Sequence, residues 1–330
     1  MSRVAIVTIG RNEGQRLARC LDSLVALALP LVYVDSGSTD GSVRLAGQGG
    51  ASVVQLDAST PFSAARARNE GVDRALALHP ELEFVQFVDG DCEMVSDWVE
   101  AGVHELETHP DVAAVCGRVR ERDRERSIYN RLCDLEWQAP AGEAAACGGN
   151  AMMRLRAFRE VGGFVPSLIA GEEPELCFRL RQRGWKVLRS NEDMVRHDAD
   201  MTTFGQWWRR ASRAGWAYAE GAAIHGASPE RHGVRDSLSI GFWGALLPLV
   251  VLLLAVPTRG SSLLLSAGYP LFASSIYARA VRGGMARDDA LLQAVFIVVA
   301  KFPQAIGQAQ FVIMRTFGRR RRVVDWRAEG

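Results

Sequence analysis

Along its first part the chain alternates short apolar runs with stretches whose apolar residues recur three and four positions apart. Val4 to Ile9, Leu31 to Asp35, Val53 to Leu56 and Phe84 to Val88 have the length and the β-branched or aromatic content of buried strands. Between the first two, Leu17, Cys20, Leu21 and Leu24 fall at helical spacing. The loop from Ser36 to Ser42 is dense in turn-formers and N-cap residue types, so a helix is predicted to begin near Ser42. Ala64 to Leu78 and Asp97 to Thr108 read as further helices. They are followed by a strand over Val112 to Val119, a charged turn from Arg120 to Arg126 and another helix. Lys186 to Arg189 is a short strand, with a turn separating it from His197. Strands alternating with helices at this pace predict βαβ units and a mostly parallel α/β sheet.

The pattern changes near residue 236. Ser237 to Thr258 carries no charge and is long enough to cross a bilayer at about 1.5 Å per residue. Gly260 to Ala278 is a second uncharged run, whereas residues 290–314 are interrupted by Lys301, Pro303, Gln304, Gln308 and Gln310. The expected organisation is therefore a catalytic domain over residues 1–235 and a helical membrane region over 236–330. The two uncharged runs form a hairpin, and an interfacial or re-entrant segment follows. Three full spans is the alternative. With a cytoplasmic catalytic domain, Arg279, Arg282, Arg287 and the cluster Arg319 to Arg322 stay inside and Arg259 outside, as the positive-inside rule requires.

Charge adds one exclusion. The 39 basic residues are balanced by 38 acidic ones, so no basic field points to nucleic acid as a partner. The six cysteines contain no CxxC pair, which excludes metal-finger spacing. The opening apolar run is too short for a secretory signal, and the first part is expected in a reducing cytoplasm. Neither GxGxxG nor GxxxxGK[ST] occurs, so dinucleotide dehydrogenases and P-loop NTPases are unsupported.

The candidate chemistry sits at Asp89-Gly90-Asp91, directly after the strand Phe84 to Val88. Two carboxylates at the carboxyl end of a central strand project into the crevice where open α/β sheets bind ligands. Such oxygen ligands hold a hard divalent cation, Mg2+ or Mn2+, that can bridge the phosphates of a nucleotide.

Four segments stand in order: Val7 to Glu13 (VTIGRNE), Val34 to Ser42 (VDSGSTDGS), Ala67 to Gly71 (ARNEG) and Asp89-Gly90-Asp91. Together they resemble the nucleotide-sugar half of a family 2 glycosyltransferase with a GT-A fold, over roughly residues 3–225. The whole chain is similar to the membrane-anchored transferases of bacterial exopolysaccharide assembly, including succinoglycan-type glucosyltransferases. The resemblance implies that Thr8 and Glu13 touch the nucleoside, Asp35 the uracil or ribose, and Arg68 the base and phosphates. It further implies that Asp89 reaches ribose or metal and that Asp91 binds the metal, with His197 joining the metal shell. Asn150, in Gly148-Gly149-Asn150, is a polar contact to the sugar or a turn residue.

The family usually takes its general base from a Glu-Asp pair before a helix; here the pair is Glu172-Glu173, with Glu173 in the base position and Glu172 in support. Gln206-Trp207-Trp208-Arg209-Arg210 resembles the QxxRW motif of processive synthases with Arg210 replacing the tryptophan. Arg209 or Arg210 would balance the leaving diphosphate, while Trp207, Trp208 and Trp216 suit an interfacial helix.

The implied activity is inverting, metal-dependent transfer of a hexose from a UDP-linked donor to a lipid-linked glycan. It would take place at the inner membrane, with the catalytic domain facing the cytoplasm and polysaccharide-assembly proteins as possible partners. A processive polysaccharide synthase and a catalytically silent scaffold of the assembly complex are the competing readings.

Overall fold

The computed structural model describes residues 3–318. Its contacts divide the chain into two compact units. One holds the residues up to Arg126 together with Glu136–Asp200, and the other holds Ser127–Leu135 together with Met201 onward.

The first unit is built on nine strands: β1 (Val4–Gly10), β2 (Leu31–Asp35), β3 (Ser52–Gln55), β4 (Phe84–Asp89), β5 (Cys92–Met94), β6 (Val112–Glu121), β7 (Gly142–Glu143), β8 (Ala151–Arg154) and β9 (Lys186–His197). The order is β3-β2-β1-β4-β8-β6-β9-β5, with β7 on β9. β1 to β4, β6 and β9 run one way; β5, β7 and β8 pair antiparallel to their neighbours. The sheet is thus mixed and mostly parallel.

The helices around it are α1 (Gln15–Val25), α2 (Ser42–Gln48), α3 (Ala64–Leu78), α4 (Trp98–Thr108), α6 (Leu155–Glu160) and α7 (Glu172–Gln182), while α5 (Ile128–Trp137) links the two units in sequence. α3 lies so close to the sheet that a Cβ on Gly71 would stand 2.3 Å from Val7 Cγ1. The central strands are buried on both faces and mostly apolar, as strands covered by helices are.

Two details of β9 correct the sequence reading. The expected strand over Lys186 to Arg189 does not end in a turn before His197; it continues to His197 as one element. The polar run Asn191-Glu192-Asp193 is absorbed by register shifts against β6 at Cys116, Arg118 and Val119. Gly117 makes this possible, since a Cβ there would meet Glu192 O at 2.5 Å and the Trp98 ring at 2.6 Å. β5 and β8 were not foreseen: each is short and reads as loop, and only pairing with β9 or with β4 and β6 makes it a strand.

The second unit is helical: α8 (Phe204–His225), α9 (Val234–Gly241), α10 (Leu247–Ala255), α11 (Gly268–Arg282) and α12 (Arg287–Thr316). The boundary set by packing lies at Asp200, whereas the change in charge pattern placed it at 235/236. The difference is α8, which packs on α12 through two glycines. A Cβ on Gly215 would lie 2.0 Å from Gln304 O, and one on Gly307 only 1.9 Å from Ser212 O.

Among the described residues, two helices are long and apolar enough to cross a membrane: Val234–Ala255 and Arg287–Thr316. The first joins α9 and α10 through a π turn at Phe242–Leu246. The second expected run is broken into a 3-10 stretch, Ser261–Ala267, and α11. Residues 290–314 instead form part of one continuous helix despite Pro303, which is buried. Arg319 to Arg322 lie outside the described residues.

Candidate functional site

β1 is the topological switch point of the sheet, with β2 on one side and β4 on the other. Register places Gly10 opposite Asp35 and Ile9 opposite Asp89, so both acids emerge at the same carboxyl edge. The loop after β2 is held by Asp35, whose Oδ2 accepts hydrogen bonds from the amides of Gly37 (2.9 Å) and Ser38 (2.8 Å). Tyr33 donates its hydroxyl to the other oxygen at 3.1 Å. Asn12 ties this loop to the one after β1 by accepting from the Thr39 amide at 2.8 Å. Glu13 lies over Gly10 and Gly90, its Cγ within 3.2 Å and 3.3 Å of where their Cβ atoms would be, and pairs with Arg16. Thr8 is fully buried with its hydroxyl against Cys20 Sγ, so its side chain belongs to the packing of α1 on the sheet.

Arg68 is the centre of the charge network. Its side chain is 4% exposed, with Nη2 2.7 Å from Asp89 Oδ1 and Nη1 2.8 Å from Glu172 Oε1. Burial disfavours its charge, but Asp89 and Glu172 outweigh that cost and raise its pKa. Its Nε is buried and has no hydrogen-bond partner among the described residues. Burial raises the Asp89 pKa, with Arg68 opposing and Asp91 adding to the rise. Asn150 fixes the backbone here: its Oδ1 accepts from the Asp89 amide at 2.9 Å, and its Nδ2 lies 3.5 Å from Cys92 Sγ. Gly149 leaves room for the pair, because a Cβ there would stand 2.7 Å from both Arg68 Nη2 and Asp89 Oδ2.

Asp91 is buried, and its Oδ2 lies 3.4 Å from His197 Nε2. The contact follows from β5 pairing with β9, which sets Cys92 opposite His197. Burial opposes a charged imidazole, but Asp91 and Glu121 outweigh it and raise the His197 pKa to about 9. Asp91, Cys92 and His197 group closely enough to share one cation. Carboxylate and imidazole suit Mg2+ or Mn2+; the Cys92 thiol does not, since burial pushes its pKa well above the ordinary range. The donor set therefore fits a hard divalent ion on Asp91 and His197, whereas Asp89, expected at ribose or metal, pairs with Arg68.

The acidic pair opens α7 after Gly171, which has φ of 77°. Its two members diverge. Glu172 turns to Arg68, and through it shares a partner with Asp89. Glu173 turns into the core, where its Oε1 accepts from the Cys147 amide (2.6 Å) and from the thiols of Cys147 (3.1 Å) and Cys177 (2.9 Å). Glu173, expected as the base, thus has its Oε1 engaged by Cys147 and Cys177. Arg209 and Arg210 stand on α8, in the other compact unit.

Sequence reasoning missed Cys147 and Cys177, the partners of Glu173. It also missed Glu121 and Trp137, which surround His197. Only Glu121 left a trace, as an acid among the arginines of a segment that reads as a solvated turn.

Comparison with known proteins identifies the family and the fold. The family model for glycosyl transferase family group 2 matches residues 84–281, and that for glycosyl transferase family 2 matches residues 5–162. Glycosyltransferase AglE of Haloferax volcanii is 22% identical over 225 residues, 64% of this chain and 71% of the relative. The O-antigen chain rhamnosyltransferase RfbN of Salmonella typhimurium is 25% identical over 246 residues, 69% and 74% of the two chains. The structure of mannosyltransferase PcManGT from Pyrobaculum calidifontis, in complex with GDP-Man and Mn2+, superposes with a TM-score of 0.57 at 19% identity. That match covers 93% of this chain and 87% of that one, a likeness of fold, which is GT-A as the sequence motifs implied. With a family model spanning more than half of its length, the chain belongs to the family 2 glycosyltransferases.

Proposed function

We propose that this chain is an inverting, metal-dependent hexosyltransferase that moves one sugar from a nucleoside diphosphate sugar, UDP-linked, to a lipid-linked glycan at the membrane. The observation that carries the reading is the convergence of Asp35, Arg68, Asp89, Asp91 and Glu172 at the carboxyl edge of β1, β2 and β4. In this reading the loop held by Asp35 takes the nucleoside, and Arg68 with Asp89 orients ribose and phosphate. A divalent ion on Asp91 and His197 supplies Lewis-acid stabilisation of charge on the leaving diphosphate.

An inverting transfer needs a carboxylate that removes the acceptor hydroxyl proton as the oxygen attacks the anomeric carbon. Of the acidic pair, Glu172 is the member on the Asp89 side, and we assign it the base. Glu173, held by Cys147 and Cys177, fixes the start of α7. The apolar span Val234–Ala255, most of it exposed, suits an enzyme whose acceptor stays in the bilayer. AglE and RfbN are named as glycosyltransferases, RfbN of an O-antigen chain, which supports a glycan acceptor in a surface polysaccharide.

Membranes from an overexpressing strain, incubated with a panel of radiolabelled nucleotide sugars, test the reading. Label from a UDP-sugar should enter the solvent-extractable lipid fraction as a single addition. Label in long polymer would instead identify a processive synthase, and no incorporation from any donor would refute transferase function.

A further inference from the structure

We propose that Glu121 is a positioning residue that presents His197 to the divalent ion; the inference rests on the reading of His197 as a metal ligand. Glu121 is the last residue of β6 and stands opposite His197 in the ladder with β9. Its carboxylate is fully enclosed, at 0% side-chain exposure, which is unusual for an acid unless its environment uses the charge. The Ala199 amide anchors it, donating at 3.2 Å and 3.3 Å to its two oxygens. That leaves Oε2 3.1 Å from His197 Nδ1, while the opposite ring nitrogen, Nε2, faces Asp91.

A carboxylate on Nδ1 keeps the proton there when the ring is neutral, so the lone pair is on Nε2, the nitrogen on the Asp91 side. It also makes that lone pair more basic and stops the ring from turning. Trp137 packs against the imidazole, ring centroids 4.5 Å apart and edge-on at 70°. The result is a chain of fixed groups: the Ala199 backbone holds Glu121, Glu121 holds His197, and His197 presents one nitrogen next to Asp91. The sequence separation of Glu121 and His197 hides this relation, which only the β6–β9 ladder creates.

The test is Mn2+ binding to the purified full chain, followed by electron paramagnetic resonance with no sugar donor present. E121Q keeps the size of the side chain but loses the charge, and should weaken Mn2+ by about 10–100-fold, the usual effect of removing such an outer partner. E121D keeps the charge but withdraws it by one methylene, and should fall between; it carries the test alone if E121Q does not fold. In an H197A background, E121Q should change Mn2+ affinity by less than about twofold, because its route to the ion is gone. Wild-type affinity in both Glu121 variants, or an equal loss with and without His197, would overturn the proposal. An H197A protein that binds Mn2+ like wild type would instead overturn the metal-ligand reading of His197 on which it rests.

Discussion

Replacing each member of the acidic pair by glutamine separates catalysis from support. In Glu172→Gln the side chain, 14% exposed, can still accept from Arg68 Nη1, and Arg68 keeps Asp89 at 2.7 Å. The hydrogen bond changes from charge-assisted, about 1.5–3 kcal/mol, to neutral, about 0.5–1.5 kcal/mol, so stability should fall by only about 1 kcal/mol. Loss of a general base costs about 10²–10⁴-fold, which at 1.36 kcal/mol per decade is roughly 3–5 kcal/mol of barrier. The chemical defect therefore exceeds the structural one.

In Glu173→Gln the amide oxygen can still take the Cys147 amide and the two thiols that now converge on Oε1. It should cost about 1–2 kcal/mol of stability and less than about tenfold in rate. The assay is single-turnover transfer at saturating donor, with nucleotide affinity measured on the same preparations so that a collapsed site is not taken for lost chemistry. A dead Glu173→Gln protein that binds nucleotide normally, beside a Glu172→Gln protein of near-normal rate, would refute the assignment and give the base to Glu173.

Asp91→Asn should abolish most transfer and weaken Mn2+ while leaving the fold intact; near-normal turnover, or full activity in excess chelator, would remove the metal from the mechanism. Gly149→Ala places a methyl 2.7 Å from Arg68 Nη2 and Asp89 Oδ2, so nucleotide affinity should drop with little change in thermal stability. Gly307→Ala must part α12 from the Ser212 carbonyl, 1.9 Å from the new Cβ. Such overpacking costs about 1–3 kcal/mol and outweighs the helix-propensity gain of about 1 kcal/mol, so a lowered unfolding temperature should follow.

The sequence alone determined the parallel core. β1, β2 and β4 are short, largely apolar runs that end in Gly10, Asp35 and Asp89, and runs of this length closed by turn residues suit strands covered on both faces. The motif order also placed Asp35 and Asp89 at one carboxyl edge of that sheet, the edge at which open α/β sheets gather ligands. The switch from mixed charge to uncharged runs located the first apolar helix, Val234–Ala255, because composition over a window is a local property; it did not locate Arg287–Thr316, whose apolar stretch is interrupted by Lys301, Gln304, Gln308 and Gln310.

What the tertiary structure decided is everything that depends on which strand or helix lies beside which. β5 and β8 exist only through their partners, and the bulged β6–β9 ladder alone brings Glu121 and His197, far apart in the chain, into contact. The pair Glu172-Glu173 is two adjacent acids in sequence, but successive helix residues point about 100° apart. Packing against Arg68 on one side and Cys147 and Cys177 on the other is what gives those two carboxylates different surroundings. Likewise the charge pattern of α8 reads as part of a catalytic domain until Gly215 and Gly307 let its backbone meet that of α12, and backbone proximity of that kind leaves no mark on hydrophobic periodicity.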